Sequence, residues 1–140
     1  MRVVLDTSVL VAAMRSTRGA SYALVSSIPT PGFQPCLSIA LYHEWRAVLT
    51  RPENLTPGST AEDARRFLRF LAGQSHLQEI HFLWRPFLAD PDDDFVLELA
   101  FAANCRYLVT HNTADFRGSD QLGVQTVTPR EFLKLIRAKP

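Results

Sequence analysis

The stretch Asp90–Phe116 constrains the chain most, and it reads DPDDDFVLELAFAANCRYLVTHNTADF. A run of carboxylates opens an almost wholly apolar helical segment, which is followed by a short turn and a buried strand at Tyr107–Thr110. The chain leaves this strand through His111 and Asn112 and then reaches Asp115. Acidic groups therefore stand near both ends of one core unit, and we expect the rest of the chain to supply partners for them.

The remaining segments alternate between strand-like and helix-like patterns. Besides Tyr107–Thr110, the predicted strands are Val3–Leu5, Phe33–Leu37, Ile80–Leu83 and Val124–Val127. The predicted helices are Val9–Met14, Ala20–Ile28, Ile39–Thr50, a helix that Thr60 caps and Gly73 ends, the apolar helix after the aspartates, and a last helix opened by Thr128. This alternation predicts one α/β domain over residues 1–140 with a mainly parallel sheet.

Composition excludes several classes of protein. No apolar run approaches the ~20 residues of a transmembrane helix, and Met1 runs almost directly into a strand, so we expect a cytoplasmic protein without a signal peptide or membrane association. The net charge of +1 gives no global field that would attract nucleic acid, so local arginines would have to contact phosphate. The candidates are Arg15, Arg18, Arg46 and Arg85. Cys36 and Cys105 lack metal-ligand spacing and are expected to be buried free thiols.

Four acidic positions fall at the ends of core elements or at the rim of the core: Asp6, Glu44, Asp94 and Asp115. The carboxyl ends of parallel strands share one edge, so we expect Asp6 and the turn that carries Asn112 and Asp115 to converge there. Carboxylates brought together repel one another unless a cation neutralises them, and hard oxygen ligands select Mg²⁺ or Mn²⁺. Such an ion activates water and polarises a phosphodiester, so the pattern indicates metal-assisted hydrolysis.

Each carboxylate also has a purely structural interpretation. Asp6 could cap the helix after the first strand, and Glu44 could pair with a nearby arginine. The Asp92–Asp94 run could be an ordinary helix start that satisfies free N–H groups. Asn112 and Asp115 could form a near capping box. Taken singly, none of these residues decides between a structural and a catalytic role.

The flanking sequences and their spacing narrow the interpretation. VVLDTSVLVAAM near the start, a helix that carries YHEW, the stretch Asp90–Phe116 and finally TPREFL together resemble the PIN-domain family, in particular its bacterial and archaeal VapC-like members. Those members are ribonuclease toxins of toxin–antitoxin pairs. The resemblance runs from Arg2 to about Leu133, and it implies a three-layer α/β/α sandwich, a ribonuclease that uses Mg²⁺ or Mn²⁺, a homodimer, and an antitoxin that occupies the active-site groove.

Carried over to this chain, the resemblance implies one set of catalytic and metal-binding residues: Asp6, Glu44, Asp94 and Asp115. Asp92 and Asn112 are secondary candidates for the metal, and Asn112 stands where many members have an aspartate. Thr7, Ser8 and Thr110 are expected to support the cluster, with the hydroxyls of Ser8 and Thr110 able to hold the carboxylates.

Three functions remain open at this stage. The first is an RNA endonuclease that serves as the toxin of a type II toxin–antitoxin pair. The second is a catalytically weakened PIN-like binding or regulatory module, which the asparagine at position 112 would favour. The third is a nucleic-acid processing nuclease without an antitoxin. The sequence leaves open the RNA target, the number of metal ions, and the choice between Asp92 and Asp94.

Overall fold

The computed structural model describes residues 1–81, 88 and 90–138. Its strands are β1 (Arg2–Leu5), β2 (Gln34–Leu37), β3 (His76–Leu77), β4 (Tyr107–Val109) and β5 (Gln125–Val127). Its helices are α1 (Thr7–Arg15), α2 (Ala20–Ser26), α3 (Ile39–Leu49), α4 (Ala61–Gly73), α5 (Asp94–Ala102) and α6 (Pro129–Arg137). The strands form one sheet in the order β3-β2-β1-β4-β5, and the neighbouring strands pair in parallel.

The central strands are covered on both faces. Val3, Val4 and Leu5 of β1 are fully buried, and so are Leu108 and Val109 of β4. Successive side chains of a strand point to opposite faces of the sheet, so unbroken burial requires packing on both sides. The predicted α/β sandwich with a parallel central sheet is confirmed.

Two of the helices begin with capping boxes at Thr60 and Thr128, the residues that the sequence predicts to open them. The hydroxyl of Thr60 accepts the Asp63 N–H at 3.1 Å, and the Asp63 carboxylate accepts the Thr60 N–H at 2.9 Å. At α6, Thr128 and Glu131 exchange the equivalent bonds at 3.1 and 2.8 Å. Each box satisfies two backbone donors that a helix start leaves free, so the boundary is set locally.

A tight turn connects α5 to the strand beside β1. Asn104 adopts a left-handed conformation with φ of 56°, which asparagine tolerates better than most residues. The Cys105 N–H then donates to the Ala100 carbonyl at 2.8 Å and closes the end of the helix. Two residues later the chain enters β4, where Tyr107 lies opposite Val3 of β1. Helix α5 and β4 therefore position both ends of the Asp90–Phe116 stretch relative to β1.

The prediction for the third strand is wrong in position. The sequence favours Ile80–Leu83, whereas the strand is His76–Leu77, which pairs with Cys36 and Leu37 of β2. Ile80 and His81 lie outside any strand, and residues 82 and 83 lie outside the described part of the chain. A strand of two residues at the edge of the sheet is too short to produce a hydrophobic pattern.

The structure also bears on the state of the two cysteines and on membrane-spanning helices. Cys36 and Cys105 are both buried and both free, as expected. Over the described residues, no helix is long and apolar enough to span a bilayer.

Candidate active site

Asp6 is fixed at the carboxyl end of β1 by two hydroxyl groups. Its N–H donates to the Val109 carbonyl at 2.9 Å, which continues the pairing of β1 with β4 by one residue. Its Oδ2 accepts hydrogen bonds from Thr110 Oγ1 at 2.7 Å and from Ser8 Oγ at 3.0 Å. Asp6 is the residue before α1, but its side chain makes no capping hydrogen bond. The carboxylate is therefore oriented by hydroxyls and does not serve the helix.

The same two hydroxyls attach the turn after β4 to the start of α1. Ser8 Oγ accepts the His111 N–H at 3.1 Å, and Thr110 Oγ1 accepts the Asn112 N–H at 3.0 Å. The His111 ring also reaches α2, with Nε2 lying 2.8 Å from Ser21 Oγ. A network of hydrogen bonds thus holds the carboxyl edge of the two central strands in one arrangement.

Glu44 comes to this edge from α3 and is held by Thr7, whose hydroxyl donates to Glu44 Oε2 in a short hydrogen bond. Burial raises the pKa of Glu44, the Thr7 bond lowers it, the charge of Asp6 raises it again, and Arg51 lowers it. The influence of Asp6 indicates that the two carboxylates are close enough to repel each other. Among the described residues, no arginine lies within ion-pair distance of Glu44.

The aspartate that leads α5, Asp94, has a local structural task. It is almost completely buried, and its Oδ1 accepts the Leu88 N–H at 2.8 Å. Asp92, the secondary candidate, has an exposed side chain. The sequence favours Asp94 and then Asp92 for the third ligand. Because Asp94 already accepts a backbone hydrogen bond and Asp92 is exposed, Asp93 becomes a third candidate of this run.

Asp93 is an aspartate of this run on which the charges of the other carboxylates act. Its pKa is raised to about 6, first because burial disfavours the charged carboxylate. The further causes, in decreasing order, are the negative charges of Asp90, Asp115, Asp6 and Glu44. The sequence alone does not single out Asp93, because consecutive helical residues point about 100° apart and the sequence does not show which of three adjacent aspartates faces the sheet edge. Which one does so depends on where the 3₁₀ turn Pro91–Asp93 passes into α5.

Asp115 reaches the site from the turn after β4. It lies in the 3₁₀ turn Thr113–Phe116, which is anchored by the buried ring of Phe116, and its own side chain is exposed. Its N–H donates to the Asn112 carbonyl at 3.0 Å, and the Asn112 side chain makes no capping bond, so the near capping box does not form. The carboxylate is close enough to raise the pKa of Asp93.

Three of the four arginines chosen from the sequence lie in the described part of the chain, and none of the three forms an ion pair with Asp6, Glu44 or Asp115. Arg15 donates to Asn54 Oδ1 at 2.9 Å and so ties the end of α1 to the 3₁₀ turn Pro52–Asn54. Arg18 and Arg46 are exposed, and neither forms a side-chain ion pair with a described residue. Arg85 lies outside the described residues.

The donor set matches a hard cation in its chemistry. The side chains that converge are carboxylates supported by hydroxyls, which are the oxygen ligands of Mg²⁺ and Mn²⁺. In the described part of the chain, no three histidine, cysteine, aspartate or glutamate side chains are close enough to enclose an ion as they stand. Mg²⁺ keeps several waters while binding through one or two carboxylates. The site therefore suits a hydrated ion at an open edge.

Comparison with known proteins agrees with this architecture. Residues 2–114 match the family model described as the PIN domain. The chain belongs to the PIN-domain family. No curated protein matches the chain significantly. Among solved structures, this PIN domain is similar to VapBC-1 from nontypeable Haemophilus influenzae, with a TM-score of 0.60 at 19% sequence identity, over 90% of this chain and 98% of that one. That likeness establishes a shared fold.

Proposed function

We propose that this PIN domain is an endoribonuclease that depends on Mg²⁺ or Mn²⁺ and hydrolyses internal phosphodiester bonds of RNA. The observation that supports the proposal is that carboxylates from four separate elements, near the carboxyl ends of β1 and β4, influence one another electrostatically. They are Asp6, Glu44, Asp93 and Asp115. A cluster of negative charge repels a polyanion unless a cation lies between them, so a divalent ion accounts for both the cluster and its substrate.

The role that we assign to each carboxylate follows from which of its oxygens already accepts a hydrogen bond. Both hydroxyls that reach Asp6 bind its Oδ2, which leaves Oδ1 for the ion. Thr7 engages Oε2 of Glu44, which leaves Oε1 to orient the attacking water and accept its proton. Asp93, on whose pKa both of these carboxylates act, would supply the next carboxylate. The bound ion would lower the pKa of a water and stabilise negative charge on the phosphate.

We further propose that the chain is the toxin of a type II toxin–antitoxin pair, acts in the cytoplasm as a homodimer, and is inhibited by an antitoxin. The sequence resemblance to VapC-like toxins and the fold likeness to VapBC-1 support this role. Production of the chain from an inducible promoter should arrest growth, and the product of a short adjacent reading frame should relieve the arrest. Growth without arrest, together with RNA cleavage in vitro, would favour the processing nuclease without an antitoxin.

The experiment that tests the nuclease is cleavage of a mixed single-stranded RNA pool by purified protein, with Mn²⁺ or with EDTA. Wild type should cut only with the metal, and Asp6→Asn should lose the activity. Glu62→Gln is the matched control, because it also removes one carboxylate charge but lies on the exposed face of α4. Cleavage that survives Asp6→Asn, or that is lost equally in Glu62→Gln, would contradict the proposal.

A catalytically weakened binding module is the second candidate. Asn112 supplies one negative charge fewer at the turn after β4, and in the described residues the carboxylates are not close enough to enclose an ion. A module of this kind should bind RNA without cutting it and should show no saturable Mn²⁺ binding. Metal titration of the purified protein therefore separates it from the nuclease.

A further inference from the structure

Helix α6 has one face on the protein core and a basic face exposed to solvent. The ring of Phe132 is fully buried, and its centre lies 5.3 Å from that of Phe33 and 5.6 Å from that of Tyr107. Three exposed basic side chains, which we call the basic stripe, follow one another along the helix: Arg130, Lys134 and Arg137. Spacings of four and three residues place them within about 60° of one another, roughly opposite Phe132, over about 10 Å of the helix axis.

Within the described part of the chain, the basic stripe has no acidic partner at ion-pair distance. The one acidic residue of α6, Glu131, accepts the Thr128 N–H at 2.8 Å in the capping box. Helix α2, which packs against α6, carries no charged residue. The stripe therefore differs from the arginines of α4, which pair with acidic residues of their own helix.

The needs of the helix itself do not account for the stripe. Like charges three and four residues apart on a helix repel one another, so the stripe costs the helix some stability. Basic residues in a last turn are favoured by the helix dipole, which explains Lys134 and Arg137. Arg130 lies in the first turn, where the dipole disfavours a positive charge. A polyanion that binds along the stripe would remove the repulsion among all three charges.

The basic stripe begins at the edge of the sheet where the carboxylates lie. The Val127 carbonyl, at the end of β5, accepts the Thr110 N–H at 2.9 Å, and the Thr110 hydroxyl donates to Asp6 Oδ2 at 2.7 Å. Thr128 follows as the N-cap of α6, and Arg130 lies in the first turn. Hydrogen bonds therefore tie the start of α6 to the residue that orients Asp6, and the helix carries the other two charges away from this edge.

We propose that the basic stripe of α6 binds the phosphate backbone of RNA to one side of the scissile bond. This inference rests on the proposed ribonuclease function, which supplies RNA as the partner. A strand that crosses the carboxylates is repelled there, so positive charges that continue from the same edge would hold it in place. Contacts to phosphate fix the position of a strand without reading its sequence. The stripe should therefore add affinity for RNA and leave the bond-breaking step unchanged.

The test measures binding of a fluorescently labelled single-stranded RNA of about 12 nucleotides in EDTA, at several salt concentrations. The variant replaces all three stripe residues: Arg130→Gln, Lys134→Gln and Arg137→Gln. At low salt we expect its affinity to be lower than that of wild type by at least about tenfold. The dependence of log affinity on log salt should become shallower by about 2, which is about 0.7 for each of three phosphate contacts on a single strand. In cleavage with Mn²⁺, KM should rise and kcat should stay nearly constant.

The matched control removes three positive charges from α4, where each is already paired: Arg65→Gln, Arg66→Gln and Arg69→Gln. Both variants have the same net charge, so a general electrostatic effect would weaken RNA binding equally in the two. We expect the α4 variant to bind RNA like wild type. A second α6 variant, Arg130→Lys with Arg137→Lys, keeps the charges and should retain the salt dependence of wild type. Thermal melts show that each variant is folded.

The possible outcomes separate the stripe from the nuclease. An α6 variant that binds RNA with the affinity and salt dependence of the α4 variant would overturn the inference, and metal-dependent cutting by wild type would still support the ribonuclease. A fall in kcat without a change in RNA affinity would also overturn it. RNA binding that depends on the stripe, in a wild type that cuts no RNA with any divalent metal, would support the stripe as an RNA surface and contradict the proposed nuclease.

Discussion

Acidic residues in two regions of this PIN domain have opposite surroundings. On the outer face of α4, Glu62 binds Arg65 and Arg69 at 3.0 Å, and these two guanidinium groups hold the pKa of Glu62 below its usual value. At the carboxyl edge of the sheet, burial and neighbouring carboxylates raise the pKa of Asp93 and Glu44. The first region lowers its electrostatic energy by pairing charges, whereas the second accumulates charges of one sign.

The difference separates surface charges that are already paired from charges that the fold keeps at a cost in stability. Exposed ion pairs such as those of α4 contribute little to stability and are easily replaced. Carboxylates that face one another destabilise the native state, so a chain that keeps them bears a stability cost that a binding event must offset. A cation at the edge would remove that cost, and the experiments below start with the largest effect expected from this contrast.

The largest effect should appear when two adjacent aspartates, Asp93 and Asp94, are each replaced by asparagine and their activities are compared. Asp93→Asn should reduce RNA cleavage by roughly 10²–10³-fold, since it removes one charge from the cluster that stabilises the transition state. Asp94→Asn should have a much smaller effect, because the asparagine oxygen can still accept the Leu88 N–H. Initial rates at saturating Mn²⁺ measure both. A larger loss in Asp94→Asn would reverse the assignment.

The next effect is on the free energy of unfolding, where Asp94 should matter more than Asp93. Asp94→Ala should lower the free energy of unfolding by about 1–3 kcal/mol, because it leaves the Leu88 N–H without its acceptor in a buried position. Asp93→Ala should leave the metal-free protein as stable as wild type or more stable, since it removes repulsion. Urea unfolding in EDTA gives both values. Equal destabilisation by the two substitutions would mean that Asp93 also has a structural task.

The dependence of stability on pH should differ in sign between the two regions. The pKa of Asp93 is about 6 in the fold against 3.8 for the ordinary group, so between these values the native state binds more protons than the unfolded state. Stability of the metal-free protein should therefore fall as pH rises from about 4 to 6, by on the order of 1 kcal/mol after solvent screening.

Replacing Asp93 isolates the contribution of its carboxylate to the pH dependence of stability. The difference in unfolding free energy between Asp93→Asn and wild type should grow in favour of the variant over the same pH range, and Mn²⁺ should abolish it. Glu62 has a lowered pKa, so its contribution runs the other way and is lost as pH falls towards and below its ordinary value of 4.5. A wild type and Asp93→Asn pair with parallel pH profiles would contradict the raised pKa.

The smallest effect belongs to the exposed face of α4. Glu62→Gln should change the melting temperature only slightly, because solvent already screens its two ion pairs. Whatever difference exists should disappear at about 1 M salt, where the Debye length is about 3 Å. Thermal melts at low and high salt measure it. A large, salt-resistant loss would show that this face is more than a solvated surface.

The fold was predictable where the sequence carries local signals. The apolar runs of β1 and β4, and the capping boxes at Thr60 and Thr128, mark elements that burial and backbone donors fix without long-range information. The edge strand His76–Leu77 gave no such signal, because two residues cannot show a period and their pairing with β2 is a tertiary event.

The sequence predicts where the candidate site lies more firmly than it predicts which residues form it. The ends of parallel strands bring Asp6 and the turn with Asp115 to one edge whatever the details of packing. The choice among three adjacent aspartates depends on a 3₁₀ turn that precedes α5, and an N–H donor six residues earlier, at Leu88, engages Asp94.

The most direct test of the central claim is calorimetric titration of Mn²⁺ into the metal-free protein at neutral pH, for wild type, Asp93→Asn and Asp94→Asn. We expect saturable binding to wild type, binding weakened by at least about tenfold in Asp93→Asn, and binding close to that of wild type in Asp94→Asn. A wild type without saturable Mn²⁺ binding, or an Asp93→Asn variant that binds as tightly as wild type, would contradict the claim that these repelling carboxylates are held together for a cation.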